Sequence, residues 1–205
     1  MIILGIDPGS ITTGYAFIDT GFQMPKVLEY GTIHAPAGKA LEDRLLHIVS
    51  KLEELLDKYR PESLGMEGVF FAKNPKSALV LGHIRGAVLV ACKRRGMSFN
   101  EYPPKVVKQA VTGDGAASKE QVANMIFARF GIQGGDLPLD ASDALAIAWT
   151  HANPSPLAAA LCSASKTVSK DAGKTLNAKA LTSRKKKATT KQWMNLIEKM
   201  GGTIK

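Results

Sequence analysis

The chain has 205 residues, 45% of them hydrophobic, enough for one sizeable core of about 150 residues plus an appendage. Its opening apolar run, Met1 to Gly9, is broken by Asp7 and has no basic lead-in, which fits neither a signal peptide nor a spanning helix, and a cytoplasmic protein is expected. The formal charge of +9 points to a polyanionic partner, yet residues 155–205 hold eleven Lys/Arg against two acids, while residues 1–154 balance 16 bases with 16 acids.

In chain order, the β-rich run Ile2 to Asp7 stops at Pro8-Gly9-Ser10 and resumes at Gly14 to Ile18, which predicts a hairpin; Val27 to Ile33 is a third strand. Leu41, Leu45, Ile48, Leu52, Leu55 and Leu56 recur at helical spacing until Pro61. Leu64 to Glu67 reads as a short buried strand. Asn74-Pro75 supplies an N-cap and a first-turn proline for a long helix to about Arg94, and Ser98 to Tyr102 is a further strand. After the Gly113-Asp114-Gly115 turn, Ser118 and Gln121 stand at capping-box spacing, with Val122, Met125, Ile126 and Phe130 as one apolar face before Gly131. The last core helix begins near Asp140. The layout is α/β, a mixed central sheet flanked by helices.

Beyond Asn153-Pro154 the sequence turns Ala/Ser/Thr/Lys-rich and loses periodicity, so two parts are expected: 1–154 as the folded domain, 155–205 as a basic, largely disordered extension. Trp193, Leu196, Ile197 and Met200 could form a short terminal helix. Cys92 and Cys162 lack CxxC spacing and suggest neither a disulfide framework nor a zinc site.

Four acids stand where strands end or a helix opens. Asp7 closes the first strand, Glu67 the strand after the first helix, and Asp140 and Asp143 lie one helical turn apart on one face. Taken singly they have structural explanations: Asp7 as a turn residue before Pro-Gly, Asp140 as an N-cap with Asp143 favoured by the helix dipole. Their contexts narrow the choice. Asp-Pro-Gly-Ser-x-x-Thr-Gly-Tyr (7–15), Glu-Gly-Val-Phe-Phe-Ala-Lys-Asn (67–74), Val-Lys-Gln-Ala-Val-Thr-Gly (107–113), Ala-Ser-Lys-Glu-Gln-Val (117–122) and Asp-Ala-Ser-Asp-Ala-Leu-Ala-Ile-Ala (140–148) resemble, in order, the successive motifs of the RuvC family of Holliday-junction resolvases.

That resemblance covers residues 1–153 and implies a ribonuclease-H-like fold and a structure-selective endonuclease that resolves DNA four-way junctions by paired nicks. It implies that Asp7, Glu67, Asp140 and Asp143 are the catalytic, metal-binding acids, with position 140 sometimes His. Two Mg²⁺ ions, or Mn²⁺, would assist hydrolysis leaving a 5′-phosphate and a 3′-hydroxyl, since hard oxygen donors select such cations. Lys108 and Lys119 match lysines near the scissile phosphate, and Phe70 matches an aromatic that stacks on bases at the crossover. The resemblance also implies a homodimer on four-way junction DNA and a branch-migration motor as partner. Ala78, Gly82 and Gly86 put small residues on one stripe of the long helix, which permits close approach of another helix within the chain or from a second copy. Three other readings compete with it: an actin-like or sugar-kinase ATPase, which needs far more chain; a generic ribonuclease H or transposase-like nuclease; and a non-catalytic junction-binding scaffold.

Overall fold

The computed structural model describes residues 1–68, 75–132 and 138–154. Strands β1 (Ile2–Asp7), β2 (Thr12–Asp19) and β3 (Lys26–His34) form an antiparallel meander. Then follow helix α1 (Leu41–Tyr59), strand β4 (Ser63–Glu67), helix α2 (Pro75–Lys93), strand β5 (Ser98–Tyr102), and helices α3 (Pro104–Thr112), α4 (Lys119–Phe130) and α5 (Leu139–Ala152). The five strands lie in the order β3-β2-β1-β4-β5, with β1, β4 and β5 parallel to one another. This is the expected mixed sheet between helices. The expected basic extension and terminal helix, residues 155–205, lie outside the described residues.

Strand alternation sorts the core into two layers. Leu4, Ile6, Phe17, Leu64 and Met66 pack with Ile48, Leu52 and Leu56 of α1 and with Ile84, Val88 and Ala91 of α2. Ile3, Ala16, Ile18 and Tyr102 face the other way, onto α3, α4 and α5. Helix α4 starts with the expected capping box, Ser118 accepting from the Gln121 amide and Gln121 from that of Ser118. Met125, placed on its apolar face by the sequence, is exposed instead; Val122, Ala123, Ile126 and Phe127 are the buried positions. Helix α3 was not anticipated. Its β-branched Val106, Val107 and Val111 resemble a strand, but they are the buried face of a helix opened by Pro104 and ended by left-handed Gly113.

Helix α5 is buried along nearly its whole length and lies diagonally over three strands, where it meets a glycine on each. A Cβ added at Gly14 of β2 would stand 2.0 Å from the Asp140 carbonyl oxygen; at Gly5 of β1 it would stand 2.3 Å from that of Ala144. At Gly65 of β4 it would stand 3.0 Å from the His151 Cβ. Helix backbone therefore rests almost directly on strand backbone, and Ala141, Ala144 and Ala148 keep the helix's own side small enough to allow it. At its far end His151 is held between the Ser63 hydroxyl at 2.5 Å and the Tyr102 hydroxyl at 2.8 Å.

Adding one methyl group here must lift the helix, because the atoms it meets are main chain. Gly5→Ala is expected to cost about 1–3 kcal/mol by overpacking, lowering the thermal midpoint by roughly 2–4 °C per kcal/mol for a chain of this size. Calorimetry checks this, and an unchanged midpoint would show that α5 does not need the glycine strip.

Candidate active site

Asp7 and Glu67 are the last residues of neighbouring parallel strands; Ile6 pairs with Met66, so the two carboxylates emerge side by side. Alternation puts Asp7 on the same face as Ile3 and Gly5, and Glu67 on the face of Ser63 and Gly65, both under α5. The chain then turns sharply. A Cβ at Gly9 would strike the Thr12 carbonyl oxygen at 2.0 Å, and the Thr13 hydroxyl donates to the Gly9 carbonyl at 3.0 Å. The Arg44 guanidinium of α1 fixes the same loop by donating to the Ser10 carbonyl at 3.0 Å.

The third and fourth acids arrive with α5. Gly14 stands opposite Asp7 in the β1–β2 ladder and receives the Asp140 backbone, so the first turn of α5 sits beside the Asp7 carboxylate. Asp140 is not the helix cap, since Pro138 holds that position and no side chain caps the end. Burial, followed by the charges of Asp143 and Glu67, pushes Asp7 up to about 7, against an ordinary value near 3.8; Asp140 contributes least, and Lys119 opposes the rise. Burial and Asp143 likewise raise Glu67, while Lys119, Arg85 and Lys108 lower it. The four expected acids therefore share one electrostatic environment, in which Asp140 is peripheral.

The carboxylates face a common space without closing on one point. Among the described residues, no three His, Cys, Asp or Glu side chains form a group that could hold a metal ion. A lysine occupies part of that space: Lys119, first residue of α4, places its ammonium 3.0 Å from Asp143 Oδ2, and this bond holds the Lys119 proton more tightly than usual. Its side chain remains 64% exposed, leaving it free to change partner. Lys108 is tied back, donating from Nζ to the Ala117 carbonyl at 2.6 Å, yet it lies near enough to act on Glu67. Phe70 lies outside the described residues.

Arg85 escaped the sequence reading because it is one charge inside an apolar helix. It is buried at 7% exposure and donates to the Glu67 carbonyl and to the Glu101 carboxylate. Cys92 is a buried thiol pushed up to about 12 by burial, so it stays protonated and has no part in the site.

As donors the acids are all hard carboxylate oxygens, with neither thiolate nor imidazole among them, a set that suits Mg²⁺ or Mn²⁺. Half-buried carboxylates such as Asp7 and Glu67, whose proton affinity is raised by burial and by the Asp143 charge, have a deficit of positive charge, which a divalent cation would correct once the side chains rotate inward.

Residues 3–151 match the family model for crossover junction endodeoxyribonuclease RuvC. The RuvC protein of Moorella thermoacetica is 42% identical over 156 residues, covering 76% of this chain and 93% of its own length. That of Chlorobaculum parvum is 44% identical over 149 residues, covering 73% and 80%. Among solved structures, Thermus thermophilus RuvC in complex with a Holliday junction substrate superposes with a TM-score of 0.69 at 34% identity, over 74% of this chain and 93% of that one. The yeast mitochondrial Holliday junction resolvase Ydc2, at 16% identity and a TM-score of 0.55, shares the fold. This chain, with its mixed sheet and its acids on adjoining strand ends and the first turn of α5, belongs to the RuvC family of crossover junction endodeoxyribonucleases.

Proposed function

We propose that this chain resolves Holliday junctions by hydrolysing a phosphodiester at the cluster of Asp7, Glu67, Asp140 and Asp143, with divalent cations held by those carboxylates. The observation that carries the assignment is geometric: the half-buried Asp7 carboxylate stands at a strand end beside Glu67 and against the first turn of α5, which brings Asp140 and Asp143, and these surroundings push it up to about 7. A protein that only bound junctions would gain by losing acids that repel phosphate. The Thermus relative was solved on a Holliday junction, and four-way junction DNA is the substrate proposed for this chain.

Asp7 and Glu67, fixed by the sheet, would hold the cations together with Asp143, and Asp140 would complete the set from the rim. Two bound Mg²⁺ ions would supply charge neutralisation, a lowered proton affinity for the attacking water and stabilisation of the departing 3′-oxygen. The water oxygen forms the new bond to phosphorus as the bond to the 3′-oxygen breaks, leaving a 5′-phosphate and a 3′-hydroxyl. Lys119 is placed to leave Asp143 for a non-bridging phosphate oxygen and to meet the charge that develops there. Lys108, held against Ala117, acts as a fixed positive charge beside the same strand ends, and Phe70 is the residue proposed to stack on bases at the crossover.

Two copies are proposed to act together, since a two-fold junction needs two cuts. Gly82 and Gly86 of α2 have open space where a side chain would stand, so neither serves packing among the described residues, and Leu79 and Val90 on the same helix are exposed. A branch-migration motor is the further proposed partner; efficient resolution of a mobile junction by purified protein alone would show it is not required.

The direct test incubates the protein with a synthetic mobile four-way junction, a linear duplex and an RNA–DNA hybrid, with and without Mg²⁺. Only the junction should be cut, and only with Mg²⁺ or Mn²⁺, whereas Ca²⁺ should support binding with little turnover because it takes longer bonds and more ligands. Asp143→Asn should cut at least about 100-fold more slowly while binding the junction as well or better. Wild-type turnover by that variant would remove the four-acid site.

Gly86→Trp should convert a dimeric wild type to a folded monomer in sedimentation and lose paired nicking. A wild type that sediments as a monomer with junction DNA would reject the two-copy reading.

The Asp7 carboxylate also makes stability depend on pH in the absence of metal. In the unfolded chain it titrates near 3.8 and in the fold at about 7, so between these values the folded state holds the extra proton. Stability therefore falls as pH rises through that window and does not recover above it. Asp7→Asn escapes the loss, which is at most about 4 kcal/mol for such a shift. In EDTA at pH 8 this variant should melt above the wild type, the gap shrinking toward pH 4; equal midpoints at pH 8 would mean that Asp7 is not held among other acids.

A further inference from the structure

Glu67 is the last residue of β4, beyond the end of its ladder with β1, which stops at Met66. Its side chain enters the carboxylate cluster from a backbone with fewer partners than the strand interior has. The peptide plane that follows it, the Glu67 carbonyl and the Gly68 amide, is nevertheless fixed from both sides. The Gly68 amide donates to the Tyr102 carbonyl at 2.8 Å, and the Glu67 carbonyl accepts from the Arg85 guanidinium at 2.5 Å. Fixing that plane pins the main chain at the end of β4, and so the place from which the Glu67 side chain sets out. Without the Arg85 bond the Glu67 carbonyl loses its guanidinium partner and the plane is held only through the Gly68 amide, next to a glycine that itself restrains the backbone little.

Arg85 lies on α2, whose buried residues Ile84, Val88 and Ala91 pack on the sheet face opposite the acids. Burying a guanidinium costs several kcal/mol unless it is well paired. One arm of its fork takes the Glu67 carbonyl and the other the Glu101 carboxylate on β5, so a single planar group ties together the ends of two adjacent strands. An apolar side chain would fill the position at less cost. We infer that Arg85 is a positioning residue for the cleavage reaction, holding the end of β4 so that Glu67 points into the metal-binding cluster. Its charge acts in the same sense, lowering the proton affinity of Glu67 and keeping that carboxylate available to a cation.

This inference rests on Glu67 being a metal-binding acid, and the test separates the two. Mn²⁺ binding to the DNA-free protein is measured by electron paramagnetic resonance for wild type, Arg85→Gln, Arg85→Lys, Glu101→Gln, Glu67→Gln and Val88→Ala, alongside thermal midpoints and single-turnover cleavage. Arg85→Gln should weaken Mn²⁺ binding and slow cleavage at saturating junction by about 10–100-fold, with junction affinity unchanged. Arg85→Lys should recover only part of this, since a point charge cannot span carbonyl and carboxylate. Glu101→Gln, which leaves the fork in place, should have a smaller effect. Val88→Ala, a buried neighbour on α2, should lose stability yet keep wild-type Mn²⁺ affinity. If Arg85→Gln and Arg85→Lys both bind Mn²⁺ like the wild type while Glu67→Gln does not, Arg85 serves packing alone and the inference is overturned. If Glu67→Gln itself binds Mn²⁺ normally, the assignment of Glu67 fails first.

Discussion

The approach of α5 to the sheet is the constraint on which the rest of this molecule depends. A helix that rests on Gly14, Gly5 and Gly65 has no freedom to slide, because the atoms it would strike are backbone. Its first turn is thereby delivered to the ends of β1 and β4, where Asp7 and Glu67 emerge. The glycines weaken each strand locally by entropy and lost packing, and the nearly complete burial of α5 offsets that cost. The same contact that builds the core thus determines how near four acids stand.

Bringing those acids together opposes folding, and the structure answers with charge from the periphery. Lys119 enters from the capped start of α4, Lys108 from α3, and Arg85 from the far side of the sheet, each lowering the proton affinity of Glu67. None of these cations cancels the cluster. Asp7 remains well above the ordinary carboxylate range, which is the electrostatic signature of a site that lacks positive charge. A phosphodiester carries more negative charge still, so substrate and site repel each other unless divalent cations come between them. The proposed role of divalent cations therefore has a physical ground in the arrangement of the acids.

Much of this was legible in the sequence, for reasons that differ from residue to residue. The hairpin, the stripe of α1 and the capping box of α4 are local patterns whose physics is complete within a few residues. Asp7 before Pro-Gly marks a strand end, and Asp140 and Asp143 mark one helical face, so three of the four acids carry a local signal. Their proximity does not, because it comes from glycines 5, 14 and 65, which are far apart in the chain and read singly as ordinary strand or turn residues. Helix α3 was missed because Val106, Val107 and Val111 have strand propensity that tertiary packing overrides. Arg85 was missed because one charge in an apolar helix carries no signal until its partners, at positions 67 and 101, are seen beside it.

Helix α5 presses its acids toward Asp7, and that crowding creates the demand for cations. The titration of the Asp7 side-chain carboxyl, followed by carbon NMR in metal-free protein and again with saturating Mg²⁺, tests it most directly. An inflection at about 7 is expected without metal, falling back toward 3.8 or below when Mg²⁺ is added. An inflection near 3.8 in both samples would contradict it, since Asp7 would then be an ordinary solvated carboxylate at the end of a strand.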